Sequence, residues 1–362
     1  MENNRFLRGI FYFLIFISVI LAGTMLKVLE SFFKPVVLAI LLASVFYPFV
    51  KRVNKKFKIP WLLGIVIVYV VFLIIFSGIF NILSSSIISI VESYPKYEER
   101  FQTIYRTLQE SFSANSDSNL LNFFFDFNKD QSLLENLSQQ LNVLPILRNF
   151  AVNFTTFLVS FLKSTFLILL LSIFLLIEMK FIKKKISTAF SNENSTKIHD
   201  IMNRIATDTT HYISIKFFIS LATGLFVFLS CLIAGLDFPL VWGFLAFVLN
   251  FVPTFGSIIS WAATTVFAFL QCYPSPFPVI FIAISVLVIN LLLGNVIEPR
   301  IEGENLGISP FVILVSLSLW GWLWGFLGLI LAVPLMVIIK IFCENISYLR
   351  PIGILLGSGK TV

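Results

Sequence analysis

Residues 295–306 read NVIEPRIEGENL, and they follow FPVIFIAISVLVINLLLG, an apolar run long enough to cross a bilayer. At its end Glu298 and Arg300 flank Pro299. A carboxylate and a guanidinium two residues apart can neutralise each other, gate a path, or couple one movement to another. A charge at the bilayer centre costs on the order of 2.5–3.5 kcal/mol, so the pair belongs at the end of the span. Pro299 is expected to set a turn there, with Gly303 and Gly307 letting the backbone fold back into the next segment.

A second cluster is uncharged. The run VWGFLAFVLNFVPTFGSIISWAATTVFAFL places Asn250, Thr254 and Ser257 inside two apolar halves, broken by Asn250, Pro253 and Gly256. Pro removes an amide and Gly loosens the helix, so carbonyls near the break are expected to lose their partners. In lipid such backbone is tolerated only where it is buried in protein or lines a cavity. A comparable interruption follows in PFVILVSLSLWGWLWGFLGLILAVPLMVIIK, centred on Gly321, Gly325 and Gly328. Paired interruptions of this kind point to two related halves of opposite orientation around a midplane site, with a plain kinked span as the alternative at each place. The expected solute contacts are Asn250, Pro253, Thr254, Gly256, Ser257 and Asn295. The expected gating or coupling residues are Glu298, Pro299, Arg300, Gly303, Gly307 and Gly325.

Other chemistries find little support. Cys231, Cys272 and Cys343 lie in or beside apolar runs without CxxC spacing, which makes them packing residues. His199 and His211 share one stretch and have no clustered third ligand, so no metal is expected. DFNKD resembles the start of a calcium loop, but Gln131 replaces the required glycine and Leu137 the bidentate glutamate. No Ser-His-Asp set or phosphate loop appears, and neither an enzyme nor a cofactor is expected.

The elements that must position these residues are membrane helices. Of 362 residues, 58% are hydrophobic and only 12% charged, against roughly 25% charged in soluble domains. The net charge of +7 sits beside apolar spans, in KRVNKKFK at 51–58 and MKFIKKK at 179–185, where it orients helices and does not grip nucleic acid. The expected fold class is all-α and polytopic, with about eight membrane segments, two of them broken or re-entrant hairpins, and a small helical extracytoplasmic insert. The division is 1–91, three helices spanning 6–26, 36–50 and 61–83; 92–149, the insert; 150–185, a fourth span; 186–212, a cytoplasmic amphipathic helix; 213–345, a transport core; and 346–362, a cytoplasmic tail. The insert carries eight acids against five bases, as suits an outside location, and both termini fall inside. The N-terminus, with Arg5 and Arg8 before an apolar run and no small-x-small site, reads as an uncleaved first helix.

Three motifs together resemble one family, the autoinducer-2 exporter (AI-2E) family of multi-pass bacterial permeases. NFVPTFGS resembles its Pro-x-x-Gly signature, NVIEPRIEGENLGISP its Asn-x-x-Glu-Pro signature, and LWGWLWGFLGLILAVPL its Trp-Gly-rich final motif. They cover about 240–340 in the family's order, while the first 235 residues match in layout alone. Ser257 departs from the pattern, standing where a proline often follows the glycine. The resemblance implies a homo-oligomer, pentameric in characterised members, in the bacterial cytoplasmic membrane, that moves a rigid part of each subunit. It also implies either quorum-signal export or sodium/proton antiport.

The residues favour export of a small polar solute, because a neutral polyol needs donors and acceptors more than charge. Cation/proton antiport ordinarily requires a carboxylate within the membrane, and Asp237 and Glu298 both fall near expected interfaces. A scaffold whose insert binds a partner is a third reading, and it gives the two breaks no purpose.

Overall fold

The computed structural model describes residues 13–14, 17–18, 20–93, 96–97, 100, 103–104, 107, 164–182, 185, 187–189, 192–302 and 307–358. Most of the expected insert, the start of the fourth span and Gly303 lie outside the described residues, as does the DFNKD segment. The described chain is helical apart from turns and one isolated antiparallel bridge, Ile308 to Gly357.

After helical residues 20–28 come Glu30–Phe57 (α1), Trp61–Glu92 (α2), Ser164–Ile182 (α3), Asn192–Ile233 (α4), Pro239–Leu249 (α5), Phe255–Cys272 (α6) and Pro276–Asn290 (α7). A π-helix, Leu291–Ile297, then leads into Glu298–Glu302 (α8), followed by Pro310–Trp324 (α9), Phe326–Asn345 (α10) and Arg350–Leu356 (α11). Seven described helices are long and apolar enough to cross a membrane, and α5 and α9 are shorter apolar helices. The protein is thus an all-α, multi-pass membrane protein.

Two expected boundaries shift. The second helix, expected over 36–50, runs through Pro35 and Pro48 and through the basic cluster, ending at Lys58 with φ of 54°. Its tolerance of internal proline is usual in membrane helices, where neighbouring groups re-satisfy the freed carbonyls. The amphipathic segment expected as a separate helix over 186–212 is continuous with the span after it. α4 has 42 residues, about 63 Å at 1.5 Å per residue, against a hydrocarbon core of roughly 30 Å.

The chain forms two compact units, one of Met1–Ile74, Ser164–Ile219 and Gly294–Val362, the other of Ile75–Lys163 and Ser220–Leu293. The expected core, 213–345, is divided between them. In the first unit α1, α2 and α3 bury Ala43, Val50, Ile65, Tyr69 and Leu176. The Trp61 indole N–H donates to Leu176 O at 3.0 Å, and the Tyr69 and Ser172 hydroxyls lie 2.5 Å apart. A second cluster joins Tyr212 of α4 to Ile308, Val333, Met336, Val337 and Ile341. In the other unit Val227 and Cys231 of α4 pack with Ala246, Ala268, Ile282 and Val286. There α4 and α5 cross at Gly224 and Gly243, where a Cβ on either would lie 2.7 Å from the other's carbonyl oxygen. Small residues let membrane helices approach to that distance.

Both broken segments are helical hairpins and not kinked spans. In α5–α6 the Trp242 and Phe267 rings meet at 4.8 Å, and a Cβ on Gly256 would lie 1.7 Å from Leu249 O. In α9–α10 the Ser316 hydroxyl donates to Ala332 O at 2.8 Å, and a Cβ on Gly328 would lie 1.8 Å from Trp320 O. The first hairpin belongs to the second unit and the other hairpin to the first. Gly256→Ala and Gly328→Ala are each expected to destabilise the protein by about 1–3 kcal/mol, the usual effect of overpacking. Thermal unfolding in detergent checks this, with Gly78→Ala, which has open space around it, expected not to lower the midpoint.

Candidate functional site

The first hairpin turns through Asn250–Thr254, and its backbone is not left open. Val252 N–H donates to Leu249 O at 2.9 Å, Gly256 N–H to Val252 O at 3.1 Å, and Ile258 N–H to Thr254 O at 3.2 Å. Phe255 N–H closes back on Pro253 O at 2.7 Å across Thr254, whose φ and ψ are 65° and −58°. That is a γ-turn of the positive-φ kind, rare and strained, and for a β-branched residue it costs of the order of 1–3 kcal/mol. The expectation of unpartnered carbonyls is therefore corrected: local turns capture them, because lipid offers no other donors.

Side chains supply the polarity instead. Asn250 is 4% exposed, and its amide donates to the Ser220 hydroxyl on α4 at 3.0 Å. The Ser257 hydroxyl approaches Asn250 Oδ1 at 3.4 Å, and the Asn290 amide donates to Ser257 O at 3.2 Å. The cluster is neutral throughout. It unites two expected residues, Asn250 and Ser257, with two that sequence reading missed, Ser220 and Asn290. Pro253 and Thr254 shape the turn, Thr254 being exposed, and Gly256 serves close packing within the hairpin. Asn295 is exposed on the π-helix, in the other unit.

At the other end of this hairpin the loop before α5 is pinned by Asp237. Its carboxylate accepts from Lys96 Nζ at 2.7 Å and from the Tyr97 hydroxyl at 2.5 Å, while Gln271 bridges Asp237 N–H and Gly235 O. Burial alone would raise the Asp237 carboxyl, but the hydrogen bonds from Lys96 and Tyr97 and the charges of Lys96 and Arg100 hold it below its ordinary value. A depressed carboxyl contributes its stability at neutral pH and loses it only as pH falls through the lowered value.

In the first unit the Glu-Pro-Arg triplet departs from expectation. Pro299 sets no turn: it lies in the second position of α8, after seven residues of π-helix. A proline inside an α-helix clashes with the carbonyl four residues back and lacks an N–H. Widening the preceding turn is one way to accommodate both. Glu298 is not paired with Arg300, which is exposed. Its partner is Lys216 of α4, Nζ to Oε1 2.5 Å, with side chains only 4% and 12% exposed. Lys216 was missed, although a lysine in ISIKFFISLATGLF was itself a signal: ionisable residues inside membrane spans are rare and functional.

The remaining expected residues have structural places. Gly307 has φ of 52°, and its carbonyl accepts from Lys340 Nζ at 2.9 Å and Ser358 N at 2.8 Å. Gly325, with φ of 66° and ψ of −141°, forms the whole turn of the second hairpin in a region open essentially to glycine alone. Gly321 and Gly328 lie within the flanking helices. The tip is held by the helix before α1, since Trp324 donates to Leu26 O at 3.2 Å and Lys27 to Trp322 O at 2.6 Å. The described residues contain no cluster of three or more His, Cys, Asp or Glu able to hold a metal.

The family model for AI-2E family transporters matches residues 11–348. The chain belongs to this family. A protein of Borreliella burgdorferi, named provisionally as a transport protein, is 31% identical over 97% of this chain and 91% of its own length. YhhT of Escherichia coli K12, also named provisionally for transport, is 30% identical over 94% of this chain and 92% of its own length. The AI-2 transport protein TqsA of the same strain is 29% identical over 89% of this chain and 88% of its own. The three motifs at 240–340 are thus part of a match over nearly the whole chain.

Removing one partner of a buried ion pair typically costs 3–5 kcal/mol, whereas replacing both by apolar or neutral groups is often near neutral. Lys216→Met is therefore expected to destabilise the protein strongly, and the double variant Lys216→Met/Glu298→Gln much less. Unfolding in detergent of the two single variants and the double variant measures the difference.

Proposed function

We propose that the protein is a secondary transporter that exports a small polar organic solute, an autoinducer-2-like signal, across the bacterial cytoplasmic membrane. The observation that carries this reading is the buried Asn250 at a strained hairpin turn, among hydroxyl and amide groups and without charge. Such a set suits a neutral, hydroxyl-bearing solute, whose donors and acceptors exchange with Ser220, Asn250 and Ser257 as it binds. The name of the relative TqsA points to the same solute class. Glu298, with Lys216, gates or couples the movement, and rearrangement of the C-terminal region carries the solute. The working form is a homo-oligomer, as the family resemblance implies, and the basic clusters at 51–58 and 179–185 support a topology with both termini in the cytoplasm.

The alternative, sodium/proton antiport, gains one support from the structure. Glu298 is largely buried, not open at an interface. A pure antiporter has no evident use for the neutral cluster, and export remains the better account.

The test is purified protein in liposomes, assayed in parallel for autoinducer-2 counterflow and sodium-dependent proton movement. Counterflow is expected in the wild type, and Glu298→Gln and Asn250→Ala are each expected to lower it by about tenfold, the loss of roughly 1.4 kcal/mol of stabilisation. Membrane insertion, followed by fractionation, is expected to stay normal in both. Sodium-dependent proton movement without counterflow would replace export by antiport.

A further inference from the structure

The neutral cluster accounts for the solute but not for a lysine buried against a carboxylate. Lys216 is 3% exposed, and it lies in Thr196–Ile233, while Glu298 lies in Pro276–Ile301, both long and apolar enough to cross a membrane. A structural pair is a poor explanation by itself, because an apolar pair of similar volume serves packing as well or better. Position adds to the case. Glu298 is the first residue after the π-helix, and such interruptions of the regular ladder recur at functional sites.

We infer that Lys216 is a tethered cation that occupies the Glu298 carboxylate at rest, and that a proton from solution exchanges with it there, coupling a proton gradient to solute export. The inference rests on the transport reading above and adds the coupling ion and the residue that competes with it.

Proton, rather than metal ion, follows from the ligand set. Hard metal cations gather about six oxygen ligands. Among the described residues no three His, Cys, Asp or Glu side chains cluster to supply them, whereas a proton needs a single oxygen, which Glu298 provides. The other ion pairs among the described residues of this unit are Glu30 with Lys34, Glu178 with Lys185, and Arg204 and Lys340 with Glu344, Arg204 also reaching Asp208. None includes Lys216 or Glu298. Along their own helices the nearest described titratable or charged groups are Tyr212, buried in the cluster with Val333 and Met336, and His211 and Arg300, both exposed.

The step balances simply. A hydronium ion gives up one O–H bond and becomes water, the Glu298 carboxylate gains one, and no other covalent bond changes. The Lys216 ammonium keeps its three N–H bonds and loses its counter-charge. A buried ammonium without a partner is unfavourable, so the protonated state persists only where Lys216 reaches water or another acceptor. Re-forming the pair expels the proton. That requirement ties proton binding to a change of conformation.

The full chain in liposomes, with autoinducer-2 as solute and a pH-sensitive dye inside, tests the proposal. For one proton exchanged per solute, a gradient of about one pH unit supports about tenfold accumulation, since each unit is a factor of ten in an equilibrium constant. The wild type is expected to reach that ratio and Lys216→Arg to keep it. Lys216→Met is expected to fall to a ratio near one, and Lys216→Met/Glu298→Gln, which leaves no buried charge unpaired, serves if the single variant fails to fold. A Lys216→Met or double variant that still accumulates about tenfold overturns the inference, as does a sodium gradient at equal pH that drives the wild type alone. If the wild type moves no autoinducer-2 but shows a proton flux that Lys216→Met abolishes, the solute assignment fails and proton exchange at the pair stands. If the dye records no proton movement in the wild type, the proposal falls.

Discussion

Hydrocarbon offers no hydrogen bonds, and the rest of this structure follows from that. A helix can be interrupted at membrane depth only if every freed N–H and C=O finds a partner in the protein. The two hairpins meet the demand differently. Around Thr254 a chain of short turns captures Leu249, Val252, Pro253 and Thr254 carbonyls in succession, at the expense of a strained β-branched residue. At Gly325 one residue with positive φ reverses the chain, and Gly325 N–H still reaches Gly321 O at 2.8 Å. The glycines beside each turn then let the two arms close until backbone meets backbone.

The same constraint sorts the buried side chains. Asn250, Ser220 and Ser257 satisfy one another without charge, so their bonds can be exchanged for those of an uncharged solute at modest cost. Lys216 and Glu298 satisfy each other by charge, and separating them is expensive unless one is neutralised or rehydrated. A neutral cluster suits binding and release, whereas an ion pair suits a switch between two states. Each lies within its own compact unit, one at the turn of a hairpin and the other where α4 meets the Glu-Pro-Arg helix.

Much of this was legible in the sequence. Long apolar runs interrupted by Pro253 and Gly325 announced two breaks, because only certain residues can occupy a non-helical turn in lipid. The motifs at 240–340 also pointed to the family that the whole chain matches. The roles within the breaks were less accessible. Gly321, Gly325 and Gly328 are alike in sequence, yet only Gly325 turns the chain, since φ and a neighbour's approach are properties of the folded backbone. Pro299 suggested a turn, but the π-helix before it absorbs the ring and the helix continues. Glu298 and Arg300 looked like partners because they are close along the chain, and in a helix residues two apart point in different directions.

Composition and periodicity by themselves determined that this chain crosses the membrane several times, where its basic clusters lie, and that two of its apolar segments are interrupted. Those conclusions depend on the solvent each segment can enter, and that is a local property of its residues. Only the tertiary structure decided which groups meet. It brought Lys216 to Glu298 across 82 positions of chain and Ser220 to Asn250 across 30. It also divided the two hairpins between two units. Such pairings are set by how helices pack, and packing is shared among many side chains, none of which carries the answer alone.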